Sequence, residues 1–304
     1  MALNAWRLRI LDVFARAGTV RAAAEELLLS PSTVSQQLAV LESETGVPLF
    51  ERRGRALSLT PAGSLLVERS RELLDRMDAI ESELTDVATE PVGHVRLGGF
   101  ASSLSSLLIP AVQRLGAEYP RLTVELLEIE PRESVTAVHQ GRLDLVVTVD
   151  EADGALMSPT LIVLPLSSDP LMAVLPAGHP LASHDRVALA DLAGERWALD
   201  HEGTYLGDLV PRECRLAGFE PQVAGRFSSY GVMLAHVAEA GSVAVLPELA
   251  VDRRMPVVAR PVASLADRAI VIALRTGNAA RPALRAVVDA LTRAAAPGQP
   301  RSQR

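Results

Sequence analysis

Two groups of side chains near the start of the chain have the chemistry to read and grip a nucleic acid. Between residues 31 and 45, one face of a candidate helix carries Ser32, Gln36, Ala39 and Ser43, flanked by Thr33 and Ser35. Small hydroxyl and amide groups of this kind can approach base edges closely and hydrogen-bond them. A few residues later Arg52, Arg53 and Arg55 surround Gly54, which suits a hairpin tip lying along a phosphate backbone. Arg21 adds a further cation in the segment before. Each group also has a plainer reading, because a polar helix face is often only solvated and three arginines near a turn are common. In this order and together, they place Arg21, Ser32, Thr33, Ser35, Gln36, Arg52, Arg53 and Arg55 at a DNA duplex.

These side chains need rigid elements beneath them, and the flanking residues supply the start and stop signals. Ser30 before Pro31 reads as an N-cap followed by proline at the first helical position. Gly46 can then end the helix in a left-handed cap, and Val34, Leu38 and Leu41 fall on its inward face. The preceding helix, from Arg21 to Leu28, has Ala23 and Ala24 where two helices must cross closely. A supporting helix over Ala5 to Ala17 has Leu8, Leu11 and Phe14 on one face and Gly18 as its stop. The arginine-tipped hairpin spans Leu49 to Leu59.

Thr60 and Pro61 repeat the start signal, and a helix of roughly 40 Å is expected from Pro61 to about Thr89. Within it Leu66, Ser70, Leu73, Met77, Ile80, Leu84 and Val87 alternate spacings of four and three, a heptad seam interrupted only by Ser70. The seam predicts a helix-to-helix dimer contact through Leu66, Leu73, Met77, Ile80, Leu84 and Val87. The alternative is that it packs on its own body domain. A dimer would let two heads engage two half-sites about one DNA turn apart. Glu90, Pro91 and Gly93 mark a hinge.

From His94 the pattern becomes strand and helix in alternation: strands at Val95–Gly99, Leu122–Ile129 and Leu143–Val149, with helices at Ser103–Ala117 and Glu133–Gln140. A second set follows, with strands near 161–165, 171–175, 222–227 and 243–246 and helices near 204–216 and 229–239. A strand at Ala269–Leu274 and a helix at Arg281–Ala295 close the fold, and the tail 297–304 is expected to be disordered. Such alternation implies an α/β body with a mainly parallel sheet.

Composition narrows the function. All 30 basic residues are arginine, which removes Schiff-base chemistry, a pyridoxal-phosphate anchor and a Walker-type phosphate loop, each of which needs lysine. The net charge of −7 is unevenly spread. Residues 1–60 carry seven arginines against six acids, whereas residues 61–304 carry 23 against 31, so the cationic character is confined to the head. No apolar run reaches membrane-span length, and Arg7, Asp12 and Arg16 interrupt the N-terminal apolar pattern, unlike a signal peptide. A soluble, cytoplasmic protein is expected. Cys214 is the single cysteine and cannot form an internal disulfide. The six histidines, His94, His139, His179, His184, His201 and His236, show no metal-ligand spacing. With no nucleophile elbow, HExxH helix or dinucleotide fingerprint, no enzyme, metal or cofactor is expected.

Residues 6–63 resemble the winged helix-turn-helix of LysR-type transcriptional regulators, carried by Ala23 and Ala24, Ser30, Leu41 and Glu42, GVPLFER at Gly46 to Arg52, and LTPAG at Leu59 to Gly63. Relatives often have arginine where this chain has Gln36, so its base preference is its own. The body resembles the same family's effector-binding domain, similar to a type 2 periplasmic binding protein. The matching segments are LIP at Leu108 to Pro110, GHPLA at Gly178 to Ala182, DLAGERW at Asp191 to Trp197, and VAEAGSVAVLP at 237–247.

The resemblance implies a head at 1–60, a linker helix at 61–90 and a two-lobed body at 91–296. Lobe I would be about 91–162 and 267–296, and lobe II about 163–266. It places a small-molecule effector between the lobes, against Ala101, Ser102, Ser103, Glu130, Asp150, His201, Thr204, Phe227 and Ser228. Ordinary helix capping is the competing role for the serines, threonine and aspartate. Arg226 would suit an anionic effector, whereas Glu130, Asp150 and Glu202 would suit an amine. The implied partners are double-stranded DNA, an effector, a second copy through the linker helices, a dimer of dimers, and RNA polymerase as a further candidate. A solute-binding protein without DNA regulation is the alternative.

Overall fold

The computed structural model describes residues 3–27, 29–53, 56–85, 91–151, 154, 156–158 and 160–296. The head is built from α1 (Ala5–Ala17), α2 (Val20–Glu26), α3 (Pro31–Thr45), and the hairpin of β1 (Phe50–Arg53) and β2 (Ala56–Leu59). Its helix boundaries follow the cap residues. Asn4, Thr19 and Ser30 each accept backbone N–H bonds at the starts of α1, α2 and α3, and Gly18 and Gly46 end α1 and α3 at φ +72°. Ala23 and Ala24 are fully buried where the helices cross, among Leu8, Leu11, Phe14, Val34, Leu38 and Leu41.

Helix α4 (Pro61–Thr85) starts at Thr60, whose hydroxyl caps Gly63 and donates to the Pro48 carbonyl at 2.7 Å. Gly63 is where α4 and the turn before the hairpin meet, since a Cβ there would lie 2.2 Å from the Leu49 carbonyl oxygen. Backbone cannot retreat as a side chain can, so Gly63→Ala is expected to destabilise the head by about 1–3 kcal/mol. Thermal melts followed by circular dichroism will check this.

Helix α4 has two apolar stripes where the heptad reading supplied one. Val67, Ser70 and Leu74 are buried against the head, and Leu66 packs on the same cluster. Leu66 therefore contributes to the head core of its own chain. Leu73 and Ile80 stay exposed, at 48% and 44%, and Met77 is half-buried. Leu84 belongs to the helix, and Val87 lies outside the described residues.

The body has two lobes. In lobe I, β3 (Gly93–Gly99) leads into α5 (Ala101–Ser103), a π turn at Leu104–Leu108 and α6 (Ile109–Glu118). The continuous helix expected there widens beside Pro110, which has no N–H for a regular helical bond. β4 (Leu122–Glu128), α7 (Pro131–His139), β5 (Leu145–Val149) and β6 (Leu161–Asp169) follow.

Lobe II holds β7 (Leu171–Pro176), β8 (Arg196–Leu199), α8 (Tyr205–Leu216), β9 (Gln222–Arg226), α9 (Tyr230–Ala240), β10 (Ala244–Pro247) and β11 (Val257–Pro261). The chain then returns to lobe I as β12 (Arg268–Arg275) and α10 (Pro282–Ala295).

The lobe I sheet has the order β4-β3-β5-β12-β6. β3 is parallel to β4 and β5, whereas β12 is antiparallel to β5 and β6. In lobe II, β7 is antiparallel to both β10 and β11, while β8 and β9 run parallel. The sheets are thus mixed rather than mainly parallel, because the chain crosses between lobes on strands that pair head to tail. β6 stays in the lobe I ladder up to Asp169, so the crossing lies at Pro170 and not near 162. Each lobe has its own core, one around Leu97, Leu108, Ile272 and Leu284 and one around Trp197, Leu206, Val237 and Leu246.

Candidate nucleic-acid interface and interlobe cleft

Helix α3 is fixed from behind and open in front. Arg7 on α1 donates to Gln37 at 3.1 Å and to Glu44 at 2.5 Å, and one oxygen of Glu42 accepts the N–H groups of Leu49 and Phe50 at 2.7 and 3.0 Å. A carboxylate taking two backbone donors ties the end of α3 to the start of the wing, which sets the angle between them. On the open face Ser32, Ser35, Gln36 and Ala39 are exposed. Ser30 gathers the hydroxyls of Ser32 and Thr33 at 2.8 Å each and accepts the Thr33 N–H at 3.1 Å. Ser32 and Thr33 are therefore oriented by the cap, while Ser35 and Gln36 project into solvent.

Arg21 is 85% exposed and pairs with Glu25 one turn on, at 3.1 Å. An exposed pair of that kind is worth little, so Arg21 can exchange its carboxylate for a phosphate. Arg52 is exposed on β1, Arg53 ends that strand, and Arg55 lies outside the described residues.

The interlobe cleft is organised by a residue that sequence reasoning passed over. Arg268, at the start of β12, is ion-paired to Asp169 at the end of β6, and both side chains are 1% exposed. The same guanidinium donates to the Ser102 hydroxyl at 3.3 Å and lies 4.9 Å from the Phe100 ring centre and 5.8 Å from that of Tyr205. Its Nε is buried without an acceptor. Asp169 also accepts the Leu249 N–H at 3.1 Å, linking the pair to lobe II.

The residues carried over by family resemblance divide into three groups. Ser102 joins the Arg268 cluster, and Glu130 is exposed near Tyr205 of lobe II. Asp150 lines a neighbouring cavity of about 580 Å³ with Arg132, Tyr205, Asp208 and Arg268. Others are held by the fold itself. Ser103 is fully buried and donates to the Phe100 carbonyl at 2.7 Å, so its hydroxyl is not open to a ligand. Thr204 caps α8 through Gly207 and donates to the His201 carbonyl at 2.8 Å. Phe227 packs on the lobe II core beside His236, with ring centres 5.1 Å apart. Finally, His201 and Ser228 are exposed and Ala101 is half-buried.

Arg226 is occupied by Glu202 at 3.0 Å and by the Asp200 carbonyl at 3.1 Å. Asp200 is buried, and burial pushes its carboxyl up from the usual range despite the His201 N–H bond at 2.7 Å. Burial likewise raises the Tyr205 hydroxyl. Tyr230 shifts the same way for the same reason, with Arg268, Asp200, Glu130 and Asp169 all within its electrostatic reach. Among the described residues, no group of three or more metal-ligating side chains occurs and no helix is long and apolar enough to cross a membrane.

Comparison with known proteins agrees with this two-part organisation. Residues 6–64 match the model for bacterial regulatory helix-turn-helix proteins of the lysR family, and residues 88–296 match the LysR substrate binding domain. A hydrogen peroxide-inducible genes activator from Pectobacterium carotovorum is 29% identical over 251 residues, covering 83% of this chain and 82% of the relative. Among solved structures, a cysteine-to-aspartate variant of full-length OxyR from Pseudomonas aeruginosa superposes with a TM-score of 0.80. Its sequence identity is 23%, over 99% of this chain and 100% of that one. Full-length CbnR complexed with its target DNA gives a TM-score of 0.57 at 21% identity, over 96% of this chain and 100% of that one. The chain belongs to the LysR family of DNA-binding transcriptional regulators, with a helix-turn-helix head joined to a two-lobed substrate-binding domain.

Proposed function

We propose that the head reads its operator with α3 in the major groove, Ser35 and Gln36 contacting base edges and Arg21, Ser32 and Thr33 holding the adjacent backbone. The wing then lays Arg52, Arg53 and Arg55 along phosphates. Two copies pair through the exposed stripe of α4 around Leu73, Met77 and Ile80, with Leu84 and Val87 extending it, and dimers pair again into a tetramer. RNA polymerase is the downstream partner, and the chain performs no catalysis. The observation that carries this reading is the uncharged, solvent-facing surface of α3, fixed to an arginine-bearing hairpin by Glu42.

The effector binds between the lobes against Ser102, Glu130, Tyr205 and Tyr230. Because Arg226 and Arg268 already have in-chain carboxylate partners, the carboxyls of Glu130 and Asp200 are the charges left to meet a ligand. This favours an effector with a cationic or donor-rich group. Thermal-shift screening of the full chain against amines, amino acids and carboxylic acids tests this, because a ligand raises the melting point of the state it binds. An amine that stabilises wild type but not Asp200→Asn supports the assignment. Stabilisation by carboxylic acids alone contradicts it.

Resemblance to a hydrogen peroxide-inducible genes activator does not give this chain a reactive thiol. Cys214 is the single cysteine, fully buried in α8, and burial pushes its thiol up to about 12. The reactive form of a thiol is its thiolate, which is then almost absent at neutral pH. Hydrogen peroxide at micromolar dose is expected to leave DNA binding unchanged, and Cys214→Ala to behave as wild type. Electrophoretic mobility shifts with and without peroxide check both.

A further inference from the structure

Helix α7 touches lobe II at one end and the head-bearing linker helix at the other. At its N-terminal end, Arg132 reaches Asp208 at 2.5 Å and the Gly203 carbonyl at 3.4 Å, both in lobe II. At its C-terminal end, the His139 carbonyl accepts from Arg71 of α4 at 3.3 Å, while Arg275 holds the Val138 carbonyl. Arg71 donates its Nε to Asp12 of α1 at 2.6 Å. Asp12 also holds Arg16 at 3.3 Å, and Arg16 reaches Glu26 at the end of α2 at 2.7 Å. Glu26 lies just before the turn into α3.

We infer that α7 is a strut transmitting movement of lobe II to the DNA-reading head, with Arg71 as its joint. The two joints differ in strength in the direction such a device requires. The Arg132–Asp208 pair is exposed, at 41% and 42%, so water competes for it and little free energy opens it. The Arg71–Asp12 pair is mostly shielded, at 14% and 18%, so it holds while the other yields. Between them, nine helical residues form a rigid rod of roughly 13 Å. Elsewhere the head is kept off lobe I by a groove of about 730 Å³, lined by Arg16 and Glu26 on one side and His94, Arg96, Arg142 and Arg281 on the other. The head thus has room to move about the place where α4 rests on the turn at Thr276–Asn278. Gly141 lies beside the Arg71 side chain at the joint, where its φ of +67° is one that glycine adopts without strain.

The inference rests on the regulator reading, but its test needs neither operator nor effector. Amide hydrogen exchange is measured by mass spectrometry on four full-length proteins: wild type, Asp208→Asn, Arg71→Lys and the double variant. Asp208→Asn weakens the lobe II latch while keeping side-chain shape. Arg71→Lys keeps a cation beside Asp12 but cannot also reach the His139 carbonyl. Asp208→Asn is expected to raise exchange in α1 and α2 by about threefold in the native background and by less than about 1.5-fold with Arg71→Lys present. No change in α1 and α2 on Asp208→Asn, or an equal change in both backgrounds, overturns the strut. If Arg71→Lys exposes the whole head to exchange, Asp12→Asn cuts the same joint from the other side and is read by the same criterion. A separate mobility shift on the same proteins reports DNA binding, so its failure and loss of coupling are distinguished.

Discussion

Replacing Asp169 with alanine is expected to lower the stability of the body by about 3–5 kcal/mol, because it strands the Arg268 guanidinium in the protein interior. Both side chains are 1% exposed, and Arg268 already has one buried nitrogen, Nε, without an acceptor. The faces of Phe100 and Tyr205 attract the cation, but each such contact is worth about 0.5–2 kcal/mol, too little to offset a lost counter-charge. Asp169 also fixes the Leu249 N–H, so part of the loss should appear where lobe II begins. Removing both charges is a different matter: Asp169→Leu with Arg268→Met is expected to recover most of the loss, since apolar pairs replace buried ion pairs at little cost. Urea denaturation read by circular dichroism decides it, and a loss below about 1 kcal/mol in the single variant would contradict the buried-pair account.

Two substitutions in the head are expected to weaken DNA binding in different ways. Gln36→Ala removes an exposed amide from the middle of α3 and should cost about 1–3 kcal/mol at the operator while leaving binding to unrelated duplex nearly unchanged. Arg52→Ala removes an exposed cation from the wing. It should weaken operator and unrelated duplex alike and reduce the salt dependence by about one counterion. Fluorescence anisotropy with both duplexes at several salt concentrations separates the two. Equal losses on both duplexes for Gln36→Ala would place α3 outside the groove.

The head was legible in the sequence because its boundaries are written in single residues. Ser30, Pro31, Thr60 and Pro61 start helices, Gly18 and Gly46 stop them, and each does so locally. The second stripe of α4 was harder to see, since Val67 and Leu74 share the helix with the heptad seam and only the position of α1 decides which stripe is covered. The cleft was least legible. Asp169 and Arg268 are 99 residues apart, and an isolated aspartate and arginine carry no sign that both will be buried together. Family position gave Ser102, Ser103, Glu130 and Thr204 the same standing, and it could not show that Ser103 and Thr204 differ from the other two. The hydroxyls of Ser103 and Thr204 are taken by neighbouring backbone. The short strand β11 escaped notice because its residues are all half-buried, without the alternation that marks a one-sided strand.

The central claim, that α3 and the wing together seat this chain on DNA, is tested most directly by footprinting the full-length protein on the region upstream of its own gene. The account predicts two protected stretches about one helical turn apart, in successive major grooves, with affinity falling steeply as salt rises. No protection at about 50 mM salt, or protection indifferent to salt, would contradict it.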